Sequence, residues 1–319
     1  MRELTIGKLR GLSQCSHRGG TMSLLALDHR NNLRKALRPE APGQVVDAEL
    51  TAFKREALAA LAEDATAVLL DPEFGAAQCI ASGSMPGDRG LIVALEETGY
   101  GPDPHARDSH VLAGWSVGQI RRMGASAAKL LVYYHPASAL ARQIEELVQQ
   151  VGRECAREDL LLVLEPLVYN PDPGTGPLSP EARRRAIIET ARRLAGPGVD
   201  VLKAEFPGSS ADEKQWLDAC RELSGATSAP WILLSAAVDF ETFLRQTDAA
   251  CDAGASGVAV GRAVWNEASR LAGAERSAFL GGEARRRMAL VTARCVERAR
   301  PWSALYSAPE VDARWFSRY

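Results

Sequence analysis

Residues 199–206 read V-D-V-L-K-A-E-F, an apolar run of strand length with Lys203 inside it. Val199, Val201, Leu202 and Phe206 suit a strand buried on both faces. A lysine in such a strand must lose its charge or find a partner, because desolvation favours the neutral amine. Seven more runs of this kind surround it. Residues 23–28, 65–71, 90–95, 127–132 and 160–165 precede it, and 231–235 and 257–260 follow. Gly, Pro and Asp bound these runs, and a helical pattern follows each. Eight such units in 319 residues predict an α/β protein, a (β/α)₈ TIM barrel with extra N- and C-terminal helical segments. Residues 1–319 are expected to form one domain, with a barrel core at about 22–270 and a C-terminal helix and aromatic tail at about 280–319. The absence of G-x-G-x-x-G after the first run weighs against a dinucleotide-binding sheet.

Composition narrows the partners. A formal net charge of -2 gives no general attraction to nucleic acid or to an anionic membrane, so any anion binding must be local. No secretory signal and no long apolar span is evident, and a cytoplasmic enzyme is expected. The six cysteines are scattered without a C-x-x-C pair, against both a disulfide framework and a zinc site. The five histidines, His17, His29, His105, His110 and His135, show no close ligand spacing. Lysine occurs only at Lys8, Lys35, Lys54, Lys129, Lys203 and Lys214, so each position is informative.

The active site of such a barrel forms at the C-terminal ends of its strands. Here those ends are polar: Asp28-His29-Arg30, Asp71, Glu96-Glu97, Glu165, Lys203 with Glu205, Ser235 and Gly261-Arg262, with Lys129 inside the fourth run. A neutral lysine amine attacks carbonyls, so a buried lysine near another cation is a Schiff-base nucleophile. Lys203 is read as that nucleophile and Lys129 as the neighbouring charge; a purely structural Lys129–Glu165 pair is the alternative. Glu165 and Asp28 suit the proton transfers of aldol chemistry, while Asp71-Pro also fits a simple turn. The ends of the seventh and eighth runs, Ser235 to Ala237 and Gly261-Arg262, form an anion site of backbone N–H groups and a guanidinium. Long connections at 96–116, 133–138 and 166–180 are expected at the same mouth, the last as a lid or binding loop.

At these residues the sequence resembles the class I tagatose-1,6-bisphosphate aldolase family. The likeness lies in L-A-L-D-H-R-N-N-L-R-K, L-L-D-P-E-F-G, A-L-E-E-T-G-Y, A-S-A-A-K-L-L-V-Y-Y, L-E-P-L-V-Y, V-D-V-L-K-A-E-F-P, W-I-L-L-S-A-A-V and G-R-A-V-W, in order over about 24–265. The resemblance implies Lys203 as the imine lysine, Asp28, Lys129 and Glu165 around the reacting carbons, and Ser235, Gly261 and Arg262 on a phosphate. It implies metal-independent cleavage of a ketose 1,6-bisphosphate of tagatose or fructose type, giving dihydroxyacetone phosphate and glyceraldehyde 3-phosphate, with no cofactor. Family members commonly read L-D-Q-R after the first strand, where this chain carries His29. That departure bears on the substrate end opposite the Schiff base. Related aldolases act on 6-deoxy-6-sulfofructose-1-phosphate, giving dihydroxyacetone phosphate and sulfolactaldehyde. Arg30, or a residue of the third or fifth loop, would hold a second phosphate or a sulfonate. The expected partner is a phosphorylated ketose, and a homo-oligomer is expected. A sugar-phosphate-sensing regulator without turnover is the reading from another class; the presence of Lys203, Glu165 and Asp28 weighs against it.

Overall fold

The computed structural model describes residues 1–98, 103–209, 213–236 and 238–319. Eight parallel strands close into a barrel: β2 (Met22–Ala26), β3 (Ala67–Leu70), β4 (Gly90–Ala94), β5 (Ala127–Tyr134), β6 (Leu161–Val168), β7 (Val201–Ala204), β8 (Trp231–Leu234) and β9 (Gly257–Val260). Each strand pairs with the next in sequence, and β9 closes onto β2 through Met22↔Gly257 to Leu25↔Val260. Their apolar, β-branched content is what parallel strands buried on both faces require. Helices lie between the strands, from α1 (Ile6–Gln14) ahead of the barrel and α2 (Asn31–Leu37) after β2 to Arg285–Arg298 near the end of the chain.

Two strands outrun their expected ends. β5 and β6 pair without interruption from Ala127↔Leu161 to Tyr134↔Val168, so the fifth loop begins beyond Val168. Proline lacks the N–H of an interior strand residue, which is why Pro166 reads as a strand terminus. Here it sits opposite Val132 within the ladder.

The chain ends cover the base of the barrel. β1 (Arg2–Glu3) pairs in parallel with β10 (Tyr306–Ser307), and Leu4, Leu12, Trp302 and Tyr306 pack beneath Met22, Ala67, Ile92 and Ala127. Tyr306 donates its hydroxyl to the Asp200 carbonyl at 2.9 Å, and the Arg2 guanidinium stacks 4.5 Å from its ring. Of the tail aromatics, Trp302 and Tyr306 are thus core, whereas Trp315, Phe316 and Tyr319 are exposed. The Tyr319 hydroxyl reaches Asp159, which also accepts from Gly7 of α1, so this end of the tail lies at the base, away from the strand C-termini.

Candidate active site

Period-two alternation decides which side chains enter the barrel. Leu24 and Ala26 of β2, Ala127 of β5, Leu161 and Val163 of β6, and Val201 of β7 meet in the interior. The residues between them, Leu25, Ala128, Leu162 and Leu202, pack outward under the helices. Two positions further along each inward face stand Asp28, Lys129, Glu165 and Lys203. The strands therefore deliver two amines and two carboxylates to one level, above the apolar filling.

These groups form one network. Glu165 Oε2 lies 2.9 Å from Lys203 Nζ and 2.9 Å from Lys129 Nζ, an ion contact with both ammoniums in which neither approach has hydrogen-bond angles. Lys129 donates to Asp28 Oδ2 at 2.9 Å and to Glu96 Oε1 at 2.6 Å. Glu96 Oε2 in turn accepts from the Leu131 amide at 3.0 Å. Both lysines are almost wholly buried, Lys129 at 1% and Lys203 at 4% exposure.

Burial would depress the Lys129 pKa, but Asp28, Glu165 and Glu96 outweigh it and hold the ammonium charged well above the ordinary lysine range. Burial would likewise raise the Asp28 carboxyl, yet Lys129 and then Lys203 keep it well below the usual range. Glu165 is lowered in the same way, with Lys129 and Lys203 overcoming its burial. The two lysines thus differ in company: three carboxylates fix Lys129 as a cation, and Lys203 meets one among the described residues. The Lys129–Glu165 ion pair is present, and the same Glu165 oxygen also faces Lys203.

A cleft of about 300 Å³ opens over this network, lined by Asp28, His29, Glu96, Lys129, Glu165, Lys203 and Arg262. A larger hollow, about 800 Å³, lies at the other end around Arg10, Asp64, Asp88 and Thr292. It has exposed mixed charges and none of the network, so size does not decide the location of the chemistry. Sequence reasoning missed Asn31, Asn32 and Lys35 of α2, Thr98, Leu131 and Tyr133, all of which line the cleft. Asn31 and Lys35 are four apart on a helix that starts at the barrel mouth, a spacing that could have flagged them.

At the corner expected to hold an anion, Ser235 Oγ lies 3.5 Å from the Gly261 amide, and Ala236 turns the chain with φ of 43°. Ala237 and residues 99–102 of the third loop lie outside the described residues. A β-carbon at Gly261 would stand 3.0 Å from the Ala26 carbonyl and 3.0 Å from His29 Cε1, closer than ordinary van der Waals contact, so glycine suits this approach. Arg262 is half-buried, and burial lowers its pKa against the pull of Asp28 and Glu165. No carboxylate pairs with it among the described residues.

Other expected residues are engaged in support. Arg30 Nη1 donates to Glu73 at 2.6 Å and Nη2 to the Glu96 carbonyl at 2.9 Å, at 4% exposure. Its guanidinium braces the loops after β3 and β4, and a substrate anion would have to compete with Glu73. Asp71 pairs with buried Lys54 and accepts from the Phe74 amide at 2.7 Å, a turn anchor. Glu205 pairs with Arg183 and accepts from the Val168 amide at 2.7 Å, tying β6 to β7. The fifth loop joins the third through His105 Nδ1 and the Asn170 carbonyl, 2.8 Å apart; beyond Leu167 it does not line the cleft among the described residues.

A closed parallel barrel with a shared carboxylate between two buried lysines at its strand C-termini has the groups that an aldehyde-lyase of the aldolase type needs. The chain belongs to the DeoC/LacD family of aldolases, whose sequence model matches residues 22–267. It is 31% identical over 282 residues to tagatose 1,6-diphosphate aldolase of Staphylococcus aureus, covering 82% of this chain and 85% of that one. Its fold resembles that of the fructose-bisphosphate aldolase of Plasmodium falciparum, with TM-score 0.70 and 13% identity over 94% of this chain and 98% of that one. An archaeal fructose 1,6-bisphosphate aldolase matches with TM-score 0.58 and 23% identity, covering 90% and 99%. A Schiff-base-forming fructose-1,6-bisphosphate aldolase matches with TM-score 0.56 and 22% identity, covering 87% and 98%. At these identities the structural likeness is one of fold. Among the described residues no helix is long and apolar enough to cross a membrane.

Proposed function

We propose that this chain is a class I aldolase that cleaves a ketose 1,6-bisphosphate through an imine on Lys203. The carrying observation is Glu165 Oε2 at 2.9 Å from Lys203 Nζ, beside a Lys129 that three carboxylates keep charged. The ionised Glu165 takes a proton from the Lys203 ammonium, and the free amine adds to the C2 carbonyl. Glu165 returns that proton to the carbinolamine hydroxyl, which leaves as water and gives the iminium. The C3–C4 bond then breaks, its electron pair entering the iminium to form an enamine, while a carboxylate, Asp28 or Glu165, accepts the C4 hydroxyl proton. The aldehyde leaves as glyceraldehyde 3-phosphate. Protonation at C3 and hydrolysis of the imine release dihydroxyacetone phosphate and restore Lys203. Lys129 keeps its charge throughout, orienting Asp28 and Glu165. Ser235, Gly261 and Arg262 take the C1 phosphate, since Arg262 has no carboxylate partner of its own among the described residues.

The test is steady-state kinetics on tagatose and fructose 1,6-bisphosphates and 6-deoxy-6-sulfofructose-1-phosphate, with and without chelator. Cleavage of a bisphosphate to dihydroxyacetone phosphate, unaffected by chelator, is the expected result. Turnover confined to the sulfonated ketose would move the substrate assignment, and loss on chelation restored by added metal would overturn the mechanism. A homo-oligomer in the cytoplasm belongs to the same proposal, supported by the exposed Val311, Trp315 and Phe316 and by six buried free cysteines.

A further inference from the structure

His29 is held on three sides yet bonds to none of them. Its ring meets Trp265 edge to face, with centroids 5.1 Å apart at 86°, and Trp265 is itself fixed by its indole N–H donating to the Ala26 carbonyl at 3.1 Å. Its Cε1 lies close against Gly261, where a β-carbon would stand only 3.0 Å from it. Its Nδ1 stands 3.9 Å from Asp28 Oδ1, too far for a hydrogen bond, and is buried without a partner among the described residues. Buried polar nitrogens are normally paired, and this one belongs to a side chain lining the cleft.

We propose that His29 determines specificity for the C1-phosphate half of the substrate, the half that leaves as dihydroxyacetone phosphate, hydrogen-bonding its C1–C3 segment between Asp28 and the Gly261–Arg262 corner. The inference rests on the aldolase reading above and deepens it. Placement next to Gly261 puts the imidazole on the side of the C1 phosphate, whereas the sequence departure at this position suggested an effect at the opposite end. Burial pulls the imidazole pKa down to about 3; Asp28 opposes this, while Arg262, Lys203 and Lys54 reinforce it. The ring is therefore neutral at working pH, with one nitrogen donating and the other accepting. That pair of roles suits a hydroxyl or ester oxygen near an imine, and it adds no charge to compete with Arg262 for phosphate.

The test compares the unmodified enzyme with His29→Gln, which keeps a donor and an acceptor, and with His29→Phe and His29→Leu, which keep bulk and lose both. Borohydride reduction of Lys203 is followed against dihydroxyacetone phosphate concentration, and KM and kcat are measured on fructose 1-phosphate and fructose 1,6-bisphosphate. His29→Phe and His29→Leu should raise the half-saturating concentration, and KM for both ketoses alike, by about tenfold or more, with His29→Gln restoring most of it. Two apolar variants, each checked by thermal melt, guard against one failing to fold. Unchanged half-saturation in a folded apolar variant, or a loss confined to the bisphosphate, overturns the role of His29. Absence of any Lys203 adduct in the unmodified enzyme would instead overturn the aldolase reading itself.

Discussion

Lys129 and Lys203 share one carboxylate oxygen across β6, and the difference in their other contacts assigns their roles. Only an uncharged amine attacks a carbonyl, and Asp28, Glu96 and Glu165 together deny Lys129 that form. Arg262 shows the converse. It is half-buried without a carboxylate, so its guanidinium is left to an anion. Truncating Arg262→Ala should raise KM for a phosphorylated ketose by at least about tenfold, as the loss of one partner of a desolvated charge pair costs roughly 2–5 kcal/mol. The melting temperature should stay near that of the unmodified protein. An unchanged KM would place the phosphate elsewhere. Arg30, of the same residue type and also at a strand end, differs because Glu73 and the Glu96 carbonyl already take its donors. Sequence alone did not separate the two arginines, since the partners of Arg30 come from loops more than 40 residues away.

At the scale of elements, the inward level of Asp28, Lys129, Glu165 and Lys203 was legible because strand parity is a local rule and each follows apolar inward neighbours. The lengths of β5 and β6 were not legible, because the ladder at Pro166 depends on the facing strand. The same holds for the tail. Its aromatics announced burial, but which of them would be buried depended on β1 and the barrel base. Trp302 and Tyr306 close that base, and Trp315, Phe316 and Tyr319 do not. Trp302→Ala should therefore cost stability on the order of 3–5 kcal/mol, read by chemical denaturation. Deleting 308–319 should leave kcat unchanged and lower the oligomer mass seen in light scattering. A fall in kcat without change in stability or assembly would assign the tail a role at the mouth despite its position at the base.

Over the whole molecule the barrel separates its duties by end. The base, sealed by α1, β1 and the Trp302–Ser307 segment, carries stability through its apolar packing, while the strand C-termini carry a desolvated ion network. The larger hollow lies at the base, whereas the buried lysines and carboxylates converge on the smaller cleft at the mouth. Central to this account is that Lys203, not Lys129, forms the covalent bond. The most direct measurement is peptide mass mapping after borohydride reduction with dihydroxyacetone phosphate. The account predicts a three-carbon phosphate adduct on the peptide bearing Lys203 and none on the peptide bearing Lys129; label on Lys129, or no adduct in protein that cleaves substrate, would contradict it.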